Sequence, residues 1–324
     1  MTGIIDSFGR SINYLRISVT DRCNLRCLYC MPPEGVPQMP HSKILSYEEI
    51  RTVVRAAAEL GINRIRLTGG EPLVRADLPE LIKMLSRIEG IEELSLTTNG
   101  TLLKKYAGEL KQAGLSRINV SLDTLKPDKF RYVTRLGELK TVLEGIEAAK
   151  KAGFDPVKIN TVVMRGINDD EILDFAKMTY KDGWHVRFIE LMPFKGVAEF
   201  VPSAELRQHI AVLGQLKPTA SITGNGPAMY YRLAGAKGAI GFISPLTEIS
   251  FCSRCNRMRL TPDGKLRPCL LGEDEIDLRM PLRNNASIEE LKQLILKAVA
   301  SKPEHHIEAA NIKLVKRKMS QIGG

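Results

Sequence analysis

Six cysteines fall into two groups of three, and their spacing is the clearest chemical signal in this 324-residue sequence. Cys23, Cys27 and Cys30 stand in CNLRCLYC with three and then two residues between them, close enough for one loop to wrap a metal centre. Thiolates are soft ligands suited to zinc or to iron–sulfur clusters. Structural zinc sites close with a fourth ligand, and the nearest histidine in sequence is His41. A four-iron cluster on three cysteines instead leaves one iron open to a small molecule. Cys252, Cys255 and Cys269 repeat the arithmetic, with two and then thirteen residues between them. The two groups use every cysteine, so neither can take a fourth from elsewhere in the chain. Two open irons are the expectation, and a zinc site completed by His305 or His306 is the alternative for the second group. Arg257 and Arg259, in FCSRCNRMRL, share one face of an extended segment. Their planar donors suit phosphate oxygens.

The elements that must hold these residues repeat from Ser11 to about residue 193, each a short β-branched run followed by a turn and an amphipathic stretch. YLRISV, RIRLT, ELSLTTN, RINVSLD, VKINTVVM and HVRFIEL are the six strands, and most of the helical stretches between them end in glycine. Strands alternating with helices imply a parallel sheet with the helices outside. Leu15 and Ile17 alternate with Arg16 and Ser18, Ile65 and Leu67 with Arg66 and Thr68, and Ile118 and Val120 with Asn119 and Ser121. Each strand therefore has an apolar face for the helices and a polar face opposite. A full eight-stranded barrel fills its interior with branched apolar side chains. The polar face points instead to an incomplete (βα)6 barrel of the TIM type, with a lumen for a large polar ligand; an open doubly wound sheet is the alternative. Beyond Phe194 the pattern changes to hairpins, around AMYYRLAGAKGAIGFISP and RMRLTPDGKLRPC, and then a helix, SIEELKQLILKAVA. The division expected is a barrel over residues 1–200 and a smaller α+β domain over 201–324, with the boundary in the stretch 195–220.

Both cysteine-rich CNLRCLYC and TGGEP, at residues 68–72, directly follow strands, where α/β barrels place their sites. Gly69 and Gly70 suit close backbone approach to a ligand. With Tyr29 before the last cysteine, the two motifs resemble those of the radical S-adenosylmethionine (SAM) superfamily. The resemblance implies that the open iron chelates SAM and that an electron from the cluster yields a 5'-deoxyadenosyl radical. The fuller set, adding LTTNG, NVSLD, GIND, RFIELMP, FCSRCNRMRL and the closing Gly323-Gly324, resembles the GTP 3',8-cyclase family of molybdenum cofactor biosynthesis over nearly the whole chain. It implies two 4Fe-4S clusters, the second binding the guanine of GTP. Hydrogen is then removed from C3' of the ribose and that carbon attacks C8. The family's GTP contacts fall on Arg16, Arg66, Thr97, Lys158, Arg257, Arg259 and the backbone of Met258, with Arg187 a further contact. Its SAM contacts fall on Tyr29, Gly70, Ser121 and Met192. The family inserts the tail with Gly323 and Gly324 beside the substrate. Implied partners are an electron donor such as flavodoxin and, downstream, cyclic pyranopterin monophosphate synthase.

Bulk properties agree with a soluble enzyme. Hydrophobic residues make up 44% and charged residues 26% of the sequence, which argues against disorder. No run of about 18 apolar residues could span a bilayer, and the first residues lack the pattern of a secretory signal. The expected location is the cytoplasm, for a monomer or homodimer. A net charge of +10 implies an anionic partner. The lysine-rich stretches KKYAGELKQAG and KLVKRKMSQIGG read as solvated faces. A peptide- or RNA-modifying radical SAM enzyme would usually bring a peptide-binding extension or a cysteine-richer auxiliary domain. A zinc-dependent nucleic-acid binder would bring aromatics interleaved on a basic face, whereas aromatics are 6% of this chain.

Overall fold

The structure is a computed structural model that describes residues 3–192, 199–220, 222, 224, 226–305 and 317–323. A short hairpin of β1 (Ile4–Ile5) and β2 (Ser11–Ile12) precedes the strand β3 (Tyr14–Ser18). The alternation expected from sequence then unfolds as α1 (Tyr47–Glu59), β4 (Arg64–Thr68), α2 (Leu78–Ser86), β5 (Glu93–Thr98), α3 (Leu103–Gln112) and β6 (Arg117–Ser121). It continues through α4 (Pro127–Thr134), α5 (Leu139–Lys151), β7 (Lys158–Val163), α6 (Ile172–Lys181) and β8 (His185–Glu190). Local signals set the helix ends. Ser46 and Glu49 close a capping box at the start of α1. Gly61 and Gly114 follow α1 and α3 with φ of 92° and 101°, a backbone state that favours glycine.

The later chain supplies α7 (Ser203–Ile210), β9 (Lys217–Pro218), β10 (Met229–Arg232) and β11 (Ile240–Ile243). It then forms β12 (Arg257–Leu260), β13 (Lys265–Arg267), β14 (Ile276–Asp277), α8 (Arg279–Arg283), α9 (Ile288–Ala300) and α10 (Met319–Ile322). These strands do not make a sheet of their own. Among the described residues, twelve strands form one sheet in the order β14-β13-β12-β3-β4-β5-β6-β7-β8-β11-β10-β9. Strand β12 joins β3 in parallel at one side and β11 joins β8 in parallel at the other. The antiparallel strands lie outside these two, and the outermost, β14 and β9, do not pair with each other.

Ile17, Ile65, Leu96, Val120, Ile159 and Val186 are buried against the helices, with their apolar faces fully withdrawn from water. Each such side chain contributes roughly 1.5–3 kcal/mol. The opposite face carries Arg16, Arg66, Thr97 and Ser121, as alternation predicts, and these line one cavity together with Arg187 of β8. In a flat sheet β3 and β8 would stand about 24 Å apart. A cavity bounded by both therefore requires strong curvature, with the polar face inside.

Candidate functional site

The cavity, of about 330 Å³, lies at the carboxyl ends of the parallel strands and is lined by all six cysteines. The first three occupy the loop after β3. Within it Cys30 N donates to Cys27 O at 3.0 Å, and Leu28 N and Arg26 N donate to Val133 O and Thr134 O in the last turn of α4, each at 3.0 Å. Arg135, at φ 64°, turns its guanidinium back onto the carbonyls of Arg26 and Met31 at 2.6 and 3.0 Å. TGGEP braces the same loop: Gly70 N donates to Thr20 O and Glu71 N to Arg22 O, both at 2.8 Å. A Cβ on Gly70 would lie 2.7 Å from Arg22 C and 2.8 Å from Asp21 O. The close approach expected toward a ligand is thus made first toward the cysteine loop itself, although Gly70 also borders the cavity. Glu71 is buried and accepts from Leu73 N, Thr98 Oγ1 and Asn99 N. Burial outweighs these donors and pushes its carboxyl up to about 7.

Tyr29 donates its hydroxyl to Asp123 Oδ2 at 2.7 Å, tying the cysteine loop to the end of β6. Burial raises Asp123 to about 6. Burial also raises the Cys23 thiol, to about 11, and Cys27 and Cys30 further; Glu71 adds to the effect at Cys23, and Asp123 at the other two. The second set sits in the opposite environment. Cys252 and Cys255 share a turn closed by Cys255 N to Cys252 O at 3.0 Å, and Cys269 follows β13. At Cys255 burial again pushes upward, but Arg257 and Lys302 prevail and bring the thiol down to about 6. Among the described residues none of the six cysteines is joined in a disulfide. Among the described residues no three His, Cys, Asp or Glu side chains close on a point as ligands of a single ion do. Three thiolates that each take a different iron need no such convergence, so the donor chemistry of each cysteine set would fit an open four-iron cluster beside the cavity. His305 is exposed beside Glu304, and His306 lies outside the described residues.

A row of arginines lines the same cavity as the two cysteine sets. Arg259 of β12 stands in register with Arg16 of β3, and Arg16 with Arg66 of β4. Like charges on directly opposed residues are destabilising, so the row favours an anion. Burial, then Arg259 and Arg66, holds Arg16 well below the usual arginine range, against a smaller upward pull from Tyr14. Burial, then Arg257, brings Arg259 down to about 10. Arg187 is 5% exposed, and its Nε and Nη2 are buried without a hydrogen-bond partner.

The tail enters here. Gly323 O accepts from Arg16 Nη2 and Thr68 Oγ1, each at 3.2 Å, and from Arg259 Nη1 at 3.4 Å. Gly324 lies outside the described residues.

Other expected contacts are distributed unevenly. Tyr29, Gly70, Ser121, Met192, Arg16, Arg66, Thr97, Arg187, Arg257 and Arg259 all border the cavity. The Met258 side chain is buried in the core, and Met258 does not border the cavity. Lys158 does not border the cavity. It lies on the face of Asn160, two residues nearer the start of β7, and its Nζ donates to Ile222 O at 2.9 Å.

The sequence reading missed Lys302 and Arg10, single residues without a motif, and gave no role to Glu190, although it stands in RFIELMP. It also read the basic tail as solvated. Arg317 instead pairs with Asp263 through two bonds of 3.0 Å and with Glu275 at 2.6 and 2.8 Å. Strongly basic tails hide such anchors because the partners lie far off in sequence.

Comparison with known proteins places the chain in a class. The Radical SAM superfamily matches residues 17–179, and Molybdenum Cofactor Synthesis C matches residues 184–308. Two Streptococcus suis SuiB crystal structures share the fold. One has a TM-score of 0.63 at 13% identity, over 97% of this chain and 76% of that one. The other, bound to S-adenosylmethionine, has a TM-score of 0.62 at 14% identity, over 87% and 68%. Sequence relatives are much nearer. The GTP 3',8-cyclase of Moorella thermoacetica is 54% identical over 98% of this chain and 99% of its own length. That of Pelotomaculum thermopropionicum is 53% identical over the same shares. The chain therefore belongs to the GTP 3',8-cyclase family of the radical SAM superfamily.

Proposed function

We propose that the chain converts GTP to (8S)-3',8-cyclo-7,8-dihydroguanosine 5'-triphosphate, the first step of molybdenum cofactor biosynthesis. The carrying observation is the Arg259–Arg16–Arg66 row, in one cavity with two sets of three cysteines outside any disulfide. Cys23, Cys27 and Cys30 would hold the cluster that binds SAM, and Cys252, Cys255 and Cys269 the cluster that binds guanine. The chemistry supplied by the first cluster and SAM when bound is hydrogen-atom abstraction by a 5'-deoxyadenosyl radical.

The protein's task is to position the nucleotide and keep it dry. Arg16, Arg66 and Arg259 offer fork-shaped donors to the triphosphate, and the unpartnered nitrogens of Arg187 add two more. Thr97 and Ser121 supply hydroxyls between the ends of the cavity. With the phosphates held on the cationic wall and guanine toward Cys252, Cys255 and Cys269, the ribose C3' faces the other cysteine set. Leu25, Met31, Ile189, Leu191, Pro245 and Leu270 give that space apolar walls, which protect a carbon radical from competing donors. The tail carbonyl at Gly323 fixes Arg16 and Arg259 in place before substrate arrives. A flavodoxin-like donor and a downstream cyclic pyranopterin monophosphate synthase complete the proposal, in the cytoplasm. Among the described residues no helix is long and apolar enough to cross a membrane.

The test is anaerobic reconstitution followed by iron and zinc counting, then incubation with SAM, dithionite and GTP. About eight irons per chain are expected, with 5'-deoxyadenosine formed only when GTP is present. Stoichiometric zinc, or 5'-deoxyadenosine formation indifferent to GTP, would contradict the proposal.

A further inference from the structure

Two cations outside every cysteine motif frame the second thiolate set. Lys302 is 3% exposed and follows α9. Its Nζ donates to Arg257 O at 2.9 Å and to Pro268 O at 2.6 Å. The first carbonyl lies two residues after Cys255, and the second immediately precedes Cys269. Arg10 is 7% exposed and follows β1 in the N-terminal hairpin. It donates to Cys252 O at 3.0 Å, to Glu304 O at 2.9 Å and to Pro303 O at 2.7 Å. The backbone around all three cysteines is thereby tied to one short segment, residues 302–304.

The charges of the two cations differ. Arg10 is neutralised by Asp6, 2.6 Å away. Lys302 donates to two neutral carbonyls, neither of which cancels its charge, and also reaches Cys255 where it borders the cavity. A buried cation so placed is costly unless an anion stands next to it. The thiolate set, and any iron–sulfur centre it holds, is that anion. Glu248, near Cys252 in sequence, faces Arg254 at 4.0 Å. The first cysteine set has the reverse surroundings, with Glu71 and Asp123 bordering its end of the cavity.

We propose that Lys302 is a positioning residue that raises the reduction potential of the centre on Cys252, Cys255 and Cys269 above that of the centre on Cys23, Cys27 and Cys30, with Arg10 as the neutral brace behind it. The inference rests on the two-cluster reading above. One-electron reduction adds a negative charge to a centre without making or breaking a bond. An adjacent ammonium stabilises the reduced form, whereas adjacent carboxylates oppose it.

The experiment is an EPR-monitored potentiometric titration of the reconstituted full chain with dithionite and mediators. Each centre is read alone in a chain whose other three cysteines are changed to serine. Iron content of the unmodified chain tests the two-cluster reading separately. Lys302→Gln should lower the one-electron equilibrium constant of the second centre about tenfold, or about 59 mV, and leave the first unmoved. Lys302→Arg should restore it, and Arg10→Gln should loosen iron retention at the second centre more than it moves the potential. Loss of iron from Lys302→Gln but not from Lys302→Arg would support the same role. Identical behaviour of the two Lys302 variants, equal shifts at both centres, or a second centre below the first would overturn it.

Discussion

Replacing Gly323 by alanine tests the tail at its point of entry. Gly323 has φ 75°, and a Cβ there would meet Thr68 Oγ1 and lie 2.9 Å from Ser18 Cβ. The left-handed backbone alone costs an L-residue roughly 1–2 kcal/mol. Thr68 and Ser18 are both buried, so neither can swing aside freely. Relief requires the tail to withdraw, which removes the three bonds accepted by the Gly323 carbonyl. These are long, so the backbone and steric terms dominate. A total near ~2 kcal/mol lowers the docked-to-undocked ratio about thirtyfold. Withdrawal also leaves Arg16 and Arg259 without the carbonyl that separates their charges. The expected result is a fall of at least about tenfold in GTP-dependent 5'-deoxyadenosine and in cyclised nucleotide, with iron content and both EPR signals retained. A semisynthetic chain with D-alanine at 323, which accepts positive φ, should recover part of the loss. Activity of Gly323→Ala within twofold of the unmodified enzyme would show that the tail carbonyl does not organise the arginines.

Three further outcomes follow from the same geometry. Arg187→Lys removes the two unpartnered guanidinium nitrogens and should weaken GTP binding by roughly 1.5–3 kcal/mol, read by equilibrium dialysis; a Kd within twofold would remove Arg187 from the phosphate wall. At Lys158, burial, then Arg187, Arg117 and Arg66, lowers the ammonium to about 6, so the free enzyme lacks that proton at pH 7–8. A triphosphate held on Arg187 and Arg66 would offset the charges that depress Lys158, without touching it, and restore the proton. GTP binding should therefore take up protons at pH 8 and tighten as pH falls toward 6, and calorimetry in buffers of different ionisation enthalpy showing no uptake would refute this coupling. Glu190→Gln places an amide among four donors, from Ser203 N, Leu246 N, Thr247 N and Thr247 Oγ1. It should cost about 2–3 kcal/mol in urea unfolding, and a loss below about 0.5 kcal/mol would contradict the assignment of Glu190 as the anchor of this loop.

The cavity wall was legible because a strand's side chains change face at every residue. Period alone therefore put Arg16, Arg66, Thr97 and Ser121 on one side before any contact was known. The cysteine loops were legible for a similar reason, since close spacing forces their thiols into one neighbourhood. Lys158 shows where periodicity stops. It has the right face, but depth along β7 decides whether a side chain reaches the cavity, and depth depends on the stagger of neighbouring strands. Arg10 and Lys302 carried no signal at all, because a lone cation has no period. Arg10 gains its meaning from a carbonyl 242 residues away.

The same distinction explains the later chain. Hairpins around β10–β11 and β12–β13 could be read locally, since each closes on itself. Their parallel pairings with β8 and β3 could not, because nothing in a strand's own sequence names a distant neighbour. Those two pairings have the chemical consequence. By adding β12 beside β3, the fold brings Arg257, Arg259 and the second cysteine set to the cavity already bordered by Cys23, Cys27 and Cys30. A C-terminal unit resting on its own sheet could have held an iron–sulfur centre equally well, but would not have put Arg259 in register with Arg16. The shared sheet is what brings the arginine row and both cysteine sets to one cavity.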